Sequence, residues 1–127
     1  MKDFKKYYII GATPEEVYQA LTFEPTIQLW TGDKVQMKPE AGTEFSLWDG
    51  SITGKNLEFI EGKKIVQQWY FDEQEIPSIV TIKLHEHKQG TSAELLHTNI
   101  PDEAFEDMTN GWNTQYFGDL QEFYEEE

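Results

Sequence analysis

The segment PDEAFEDMTNGWNTQYFGDLQEF, residues 101–123, decides the fold. Its large apolar residues recur at intervals of three or four positions, which is the period of one face of an α-helix. The members of this stripe are Phe105, Met108, Trp112, Tyr116, Leu120 and Phe123. Acidic and amide side chains stand between them, as expected for the solvated side of the same helix. The spacing predicts one long amphipathic helix from residue 102 to about residue 126, with residues 125–127 frayed because their negative charge opposes the helix dipole.

Upstream of this segment, runs of alternating apolar and polar residues are separated by turn residues, a pattern typical of β-strands. The runs predict strands over residues 4–10, 35–38, 43–48, 51–60, 63–72, 78–86 and 91–98. The Asp49-Gly50 pair between two of them is a strong hairpin signal. Successive hairpins of this kind form an antiparallel meander.

A helix start stands between the first two predicted strands. Thr13 is a good N-cap, Pro14 fits the first helical position, and Glu16 lies three residues after the cap. This helix ends before Pro25, and a second short helix over residues 25–30 ends near Gly32. The predicted fold is therefore one α+β domain over residues 1–127, with a seven-stranded antiparallel sheet wrapped on the C-terminal helix.

Composition and charge exclude several classes of protein. A chain of 127 residues without cysteine has neither a disulfide framework nor a thiol nucleophile or Cys-ligated metal. The net charge is -14, and all 10 basic residues are lysine, which argues against nucleic acid or an anionic membrane as partner because phosphate binding needs clustered cations. No apolar run approaches the roughly 20 residues of a transmembrane helix. We expect a cytoplasmic, soluble protein whose mature form is the whole chain.

Several segments, taken in order, resemble a known family. They are residues 13–21, 45–58, 65–69, 78–84, 90–91, 95–97 and 111–123, the last containing Gly111-Trp112 followed by Tyr116 and Phe117. The set is similar to the helix-grip fold of START-like and Bet v 1-like proteins, and more specifically to the C-terminal domain of the activator of Hsp90 ATPase homologue 1-like family. The resemblance implies that fold, a ligand cavity between sheet and helix, and an Hsp90-type chaperone as a partner.

The concave side of such a sheet and the helical stripe together define a candidate ligand site. The residues expected on its lining are Phe45, Leu47, Leu57, Phe59, Trp69, Phe71, Val80, Ile82, Leu95, His97, Phe105, Met108, Trp112 and Tyr116. One interpretation is an apolar pocket with a few polar groups, suited to a lipid-like or aromatic ligand. The alternative is that the rings fill the space completely, since protein interiors are close-packed. Trp48 and Tyr70 are expected on the opposite face of the sheet.

Three functions remain open on this basis. The first is a non-enzymatic module that binds a hydrophobic small molecule without a cofactor, and the second, implied by the resemblance alone, is a regulator of an Hsp90-type chaperone. The third is a cyclase- or hydratase-like enzyme that would use His97 or Tyr116 in the same cavity. No catalytic motif favours the third function. His85 and His87 share a strand face, but no third metal ligand is evident, so we expect no metal.

Overall fold

The computed structural model describes residues 1–72 and 74–125. The described part contains one sheet of six strands: β1 Lys2–Ile10, β2 Glu44–Leu47, β3 Ile52–Ile60, β4 Lys64–Trp69, β5 Ser78–His87 and β6 Gly90–Ile100. Four α-helices accompany it: α1 Pro14–Thr22, α2 Glu24–Thr31, α3 Phe105–Gly111 and α4 Phe117–Glu125. A 3-10 turn, Asp102–Ala104, precedes α3, and a π-helical turn, Trp112–Tyr116, joins α3 to α4.

All strand pairs are antiparallel, and the spatial order is β1-β6-β5-β4-β3-β2. The predicted α+β architecture is confirmed, but the prediction of seven strands is wrong. Residues 35–38 make a single bridge, between Gln36 and Ser46. The N–H of Met37 donates instead to the Glu24 carboxylate of α2, 2.9 Å away, and Pro39 has no N–H to continue a ladder. This segment is therefore held by the one backbone pair between Gln36 and Ser46, by side chains and by α2, and it does not continue as a strand.

The start of α1 has the predicted capping box. The Thr13 hydroxyl accepts the Glu16 N–H at 3.2 Å, and the Glu16 carboxylate accepts the Thr13 N–H at 2.9 Å. Because these bonds satisfy the free N–H groups of the first turn, the helix direction is set locally. Val17, Ala20 and Leu21 of α1 are then buried in the core.

The C-terminal stripe forms a helix as predicted, but the helix is interrupted. In the π turn the N–H of Phe117 donates to the carbonyl oxygen of Trp112, five residues earlier. Since an α-helix rotates about 100° per residue, a regular helix would point Phe117 well away from Trp112. The wider turn brings Trp112, Tyr116 and Phe117 all into the core. Glu126 and Glu127, part of the end expected to fray, lie outside the described residues.

A β-bulge in β3 changes which residues face inward. Asn56 pairs with Gln67 and Glu58 pairs with Val66, so Leu57 between them has no partner. Leu57 is consequently 37% exposed, and its prediction as a lining residue is wrong. Asn56 is fully buried in its place, and after the bulge Phe59 returns to the inner face opposite Ile65. The extra residue shifts the alternation by one position, as bulges do.

Candidate functional site

The space between the sheet and the C-terminal helix is filled by aromatic rings. Trp69 and Trp112 stack with their ring centroids 4.7 Å apart, and the Tyr116 ring lies 4.6 Å from that of Trp112. Phe117 stacks on Tyr8 of β1 at 4.3 Å. Trp112 is only 2% exposed. These contacts join the helix to the sheet and leave the region under the helix packed, as is usual for a protein interior.

The predicted lining residues divide by burial. Nine are buried: Phe45, Leu47, Trp69, Val80, Ile82, Leu95, His97, Trp112 and Tyr116. Phe59, Phe71, Phe105 and Met108 are half-buried, and Leu57 is exposed. Burial here describes packing and does not by itself indicate ligand contact.

His97 lies at the centre of a buried hydrogen-bond chain. The Trp112 Nε1–H donates to His97 Nδ1 at 3.0 Å, and His97 Nε2 is 2.8 Å from the Ser78 hydroxyl. Because an indole N–H can only donate, Nδ1 is the acceptor, so the proton of the neutral ring is on Nε2 and Ser78 accepts it. The Ser78 hydroxyl donates in turn to the Thr98 carbonyl at 3.0 Å. Both nitrogens of His97 are thus engaged by the protein.

Burial lowers the pKa of His97 from 6.5 to about 4, with a small opposing effect of the Asp3 charge. The ring is therefore neutral at physiological pH. A neutral histidine with both nitrogens bonded orients the two elements that it joins, β6 and the π turn. It offers no free nitrogen to act as a general base.

A second buried chain ends on the other stacked tryptophan. The Trp69 Nε1–H donates to Gln67 Oε1 and the Gln67 amide donates to Asn56 Oδ1, both at 3.0 Å. The Asn56 amide donates to the Lys38 carbonyl at 3.0 Å and to the Thr43 hydroxyl at 3.1 Å. In the described part of the chain, no buried side-chain nitrogen or oxygen lacks a partner. This series of hydrogen bonds connects the segment before β2 to the centre of the sheet.

An open cleft, here called the aromatic cleft, lies between α3 with the π turn and the β2–β3 turn. Its volume is about 380 Å³. Four rings form its walls, those of Trp48, Trp69, Trp112 and Tyr116. Its other lining residues are Asp33, Ser51, Ile52, Asp107, Met108, Gly111 and Gln115. Of the residues predicted to line a ligand site, Trp69, Met108, Trp112 and Tyr116 border this cleft.

Trp48 reaches the aromatic cleft through an unusual backbone conformation. Its φ is 51°, in the left-handed region that bulky residues rarely adopt. The Asp49-Gly50 turn follows, closed by the Ser51 N–H to the Trp48 carbonyl at 3.1 Å, as the hairpin signal predicted. The conformation turns the Trp48 ring toward Tyr116, 6.1 Å away. The prediction that Trp48 faces away from the helix is therefore wrong, because strict alternation ends at this residue.

Tyr116 is a polar residue on the lining of the cleft, although it is only 5% exposed. Burial raises the pKa of Tyr116, so its hydroxyl remains a neutral phenol at physiological pH.

The two strand histidines have protein partners. His85 Nε2 is 2.8 Å from the Glu94 carboxylate, and His87 Nδ1 accepts the Gln89 N–H at 3.1 Å. Within residues 1–72 and 74–125, no group of three or more His, Asp or Glu side chains could hold a metal ion. No helix in the same ranges is long and apolar enough to cross a membrane.

Comparison with known proteins gives consistent matches. The family model described as "Activator of Hsp90 ATPase homolog 1-like protein" matches residues 11–125. The Activator of 90 kDa heat shock protein ATPase homolog of Dictyostelium discoideum is 33% identical over 103 residues, which are 79% of this chain and 27% of that protein. Human homolog 1 is 25% identical over 114 residues, 88% of this chain and 34% of that protein. The chain thus spans between a quarter and about a third of the curated relatives.

Solved structures agree with the sequence matches. The crystal structure of an HSP90 activator from Plasmodium falciparum superposes with a TM-score of 0.86 and 26% identity, covering 95% of this chain and 94% of that one. The solution structure of the Aha1 dimer from Colwellia psychrerythraea has a TM-score of 0.82 and 19% identity, covering 98% of this chain and 96% of that one. At that identity the second likeness shows the fold alone.

Proposed function

The chain belongs to the activator of Hsp90 ATPase homolog 1-like family, and from this premise we propose that it binds an Hsp90-type chaperone and regulates its ATPase activity. The observation that carries the proposal is the family match over residues 11–125, which includes five of the six strands and the C-terminal helices. The relatives are named for activation of the Hsp90 ATPase. Since the chain corresponds to only part of those relatives, regulation by this domain is the point that needs testing.

The charge of the surface supports a particular mode of contact. The net charge is -14, and the exposed face of the C-terminal helices is acidic, with Glu103, Glu106, Asp107, Glu122 and Glu125 exposed. Such a face attracts a basic surface over several ångströms, and salt screens this attraction. We therefore expect chaperone binding to weaken as ionic strength rises.

The test is the steady-state ATPase rate of the Hsp90-type chaperone from the same organism, titrated with this chain at about 25 mM and about 200 mM salt. We expect stimulation at both, with tighter binding at low salt. The proposal is wrong if an excess of this chain leaves the ATPase rate of the chaperone unchanged at low salt and the chaperone retains none of this chain in a pull-down.

A pair of matched variants locates the contact. The triple substitution Glu103→Gln, Glu106→Gln and Glu122→Gln neutralises the acidic helix face. Its control, Glu40→Gln, Glu61→Gln and Glu86→Gln, removes the same charge from exposed positions elsewhere. The first triple is expected to raise the concentration for half-maximal stimulation roughly three- to tenfold, and the control much less. Equal effects would mean that only total charge matters.

A second candidate function, binding of a hydrophobic small molecule, is favoured by the aromatic cleft. Its volume of about 380 Å³ falls in the range of small-molecule sites, roughly 300 to 1,000 Å³. Aromatic walls with a few polar side chains among them, here those of Ser51 and Gln115, are also typical of such sites. The ligand would thus sit in the cleft and not in the filled interior. The enzymatic alternative has no support from His97, whose nitrogens are both bonded within the protein.

Ligand binding is tested by NMR with fatty acids, flavonoids and sterols, following the indole N–H signals of Trp48, Trp69 and Trp112. Saturable shifts of these signals are expected, while signals from the β5–β6 hairpin tip stay in place as the internal control. If no compound moves any of the three indole signals, this second function is excluded for those ligand classes.

A further inference from the structure

We propose that Trp48 is a movable wall of the aromatic cleft, and that the turn carrying it controls access to the rings behind it. The inference adds control of access to the second candidate function, and it rests on that function only for the identity of what enters. It depends on three observations. The other tryptophans are fixed by hydrogen bonds, the backbone at Trp48 is strained, and the Trp48 ring covers inner rings that are almost fully buried.

Hydrogen bonds hold three of the four tryptophan rings in place. The indole N–H groups of Trp30, Trp69 and Trp112 each donate to a buried acceptor, 2.7 to 3.0 Å away. Within the described ranges no group accepts the Trp48 N–H, and Trp48 is the least buried of the four. Its ring packs edge-on against Trp30 and Tyr116, with centroids 6.0 and 6.1 Å away. Trp48 is therefore held by ring packing and not by a bond from its indole.

The backbone of the turn is strained in the position seen in the structure, here called the closed position. Trp48 and Asp49 have φ of 51° and 54°, and Gly50 follows at 92°. The left-handed conformation brings Cβ close to the following carbonyl oxygen, and non-glycine residues that adopt it usually do so singly. A return of Trp48 to ordinary backbone angles would relieve this strain and would also turn its ring away from Tyr116. Strain and ring position are thus coupled.

The Trp48 ring covers two rings that an entering molecule would otherwise reach. Tyr116 is 5% exposed and Trp30 is 6% exposed, and Trp48 packs on both. Trp48 is at the same time a lining residue of the cleft. In the closed position a molecule in the cleft meets little of either covered ring. Outward movement of the turn would expose both and enlarge the cleft.

Opposing contributions keep the closed and open positions close in free energy. Packing of the indole on two rings favours the closed position, and so does the bond from the Asp49 N–H to the Lys34 carbonyl at 2.9 Å. Relief of two left-handed residues favours the open position. The moving part is a surface turn between β2 and β3, so no core element has to shift. We expect an open population of about 1%, exchanging on the microsecond to millisecond timescale.

The ligand-free full chain provides the first test, by NMR relaxation dispersion of the four indole N–H groups. Trp48 should show exchange between two states. Trp112 is the internal reference, because it is 2% exposed and bonded to His97, and it should show none.

Two substitutions in the turn should shift the open population in opposite directions. Gly50→Ala adds a strained side chain at φ 92°, where the new methyl has no neighbour within 4 Å, and should raise the population about fivefold. Asp49→Gly removes strain and should lower it about fivefold. The matched control is Gly42→Ala, which adds the same strain at the same φ of 92°, also without a neighbour within 4 Å, in the turn before β2. It should leave the exchange at Trp48 unchanged.

Ligand titrations separate this inference from the second candidate function. A compound of the hydrophobic panel that binds behind Trp48 should have an apparent dissociation constant about fivefold lower in Gly50→Ala, because the competent state is more populated. Equal affinity for wild type, Gly50→Ala and Asp49→Gly would mean that the cleft binds without opening. That result overturns the inference and leaves the second function standing.

Two results in the ligand-free chain would also overturn the inference. One is the absence of exchange at Trp48 in both wild type and Gly50→Ala, and the other is an equal increase of exchange in Gly42→Ala and Gly50→Ala. The expected exchange without binding of any compound would support the movable wall and exclude the second function for that panel. The chaperone assay remains independent of both.

Discussion

Replacing His97 tests the buried hydrogen-bond chain, because this residue links stability to pH. The native state holds the ring neutral, with its pKa near 4, whereas the unfolded chain titrates near the ordinary 6.5. Below pH 6.5 the unfolded state therefore binds a proton that the native state excludes. Stability due to this group is highest above pH 6.5, declines as the pH falls, and levels off below about 4.

The size of the effect follows from the pKa difference. At about 1.36 kcal/mol per unit, the shift corresponds to roughly 3.4 kcal/mol when fully developed below pH 4. Between pH 7 and pH 5, linkage gives a loss of about 2 kcal/mol from this histidine alone. The variant His97→Gln has no titratable group at this position. Its free energy of unfolding should therefore fall about 2 kcal/mol less than that of the wild type between pH 7 and pH 5.

The assay is urea denaturation of both proteins at pH 7, 6 and 5, followed by tryptophan fluorescence. The control is Ile27→Val, a core substitution on α2 that costs about 1 kcal/mol and leaves His97 and its partners intact. It should keep the wild-type pH dependence. Nitrogen NMR of the wild-type ring should show the proton on Nε2 and no titration between pH 7 and 5. Parallel pH profiles for wild type and His97→Gln would refute the reasoning.

Three further predictions concern stability, each measured by chemical denaturation. Gln67→Leu leaves the buried Trp69 N–H without its acceptor and should cost about 2 to 4 kcal/mol; a neutral result would mean that the buried chain contributes nothing. Gly54→Ala should cost more than about 3 kcal/mol, because the added methyl would lie 2.7 Å from the Phe45 ring; wild-type stability would contradict this packing. Thr13→Ala removes the α1 cap and should cost about 1 kcal/mol, while Thr13→Ser should restore most of it.

Elements with local signals were predictable from sequence. The capping box at Thr13 and the hairpin at Asp49-Gly50 each depend on a few adjacent residues, and both form as expected. The prediction of a seventh strand was wrong for a reason that is not local in the sequence. Val35 and Met37 are buried as a strand would bury them, but the partner of the Met37 N–H is a side chain 13 residues away, on α2. The alternation of apolar and polar residues cannot distinguish a segment buried as a strand from one whose backbone is held by a side chain of another element.

The candidate site was predictable in part. The helical stripe places Trp112 and Tyr116 against the sheet, which the structure confirms. The buried chain through Gln67 was missed, although its position between Ile65 and Trp69 on the inner face was a usable signal. Asn56 had no such signal, because the bulge at Leu57 shifts the register and nothing in the local sequence marks it. The left-handed Trp48 was equally unexpected, since non-glycine residues rarely adopt that conformation.

The π turn at Trp112–Tyr116 takes up one extra residue in the final helix. The Phe117 N–H donates to the Trp112 carbonyl, which in a regular α-helix would accept the N–H of the fourth residue on. Deleting one residue from positions 113–115 should therefore replace the wide turn by a regular one and leave Phe117 and Leu120 facing the core. A deletion within α4 has no wide turn to absorb it, and it would rotate the rest of the helix by about 100° around its axis.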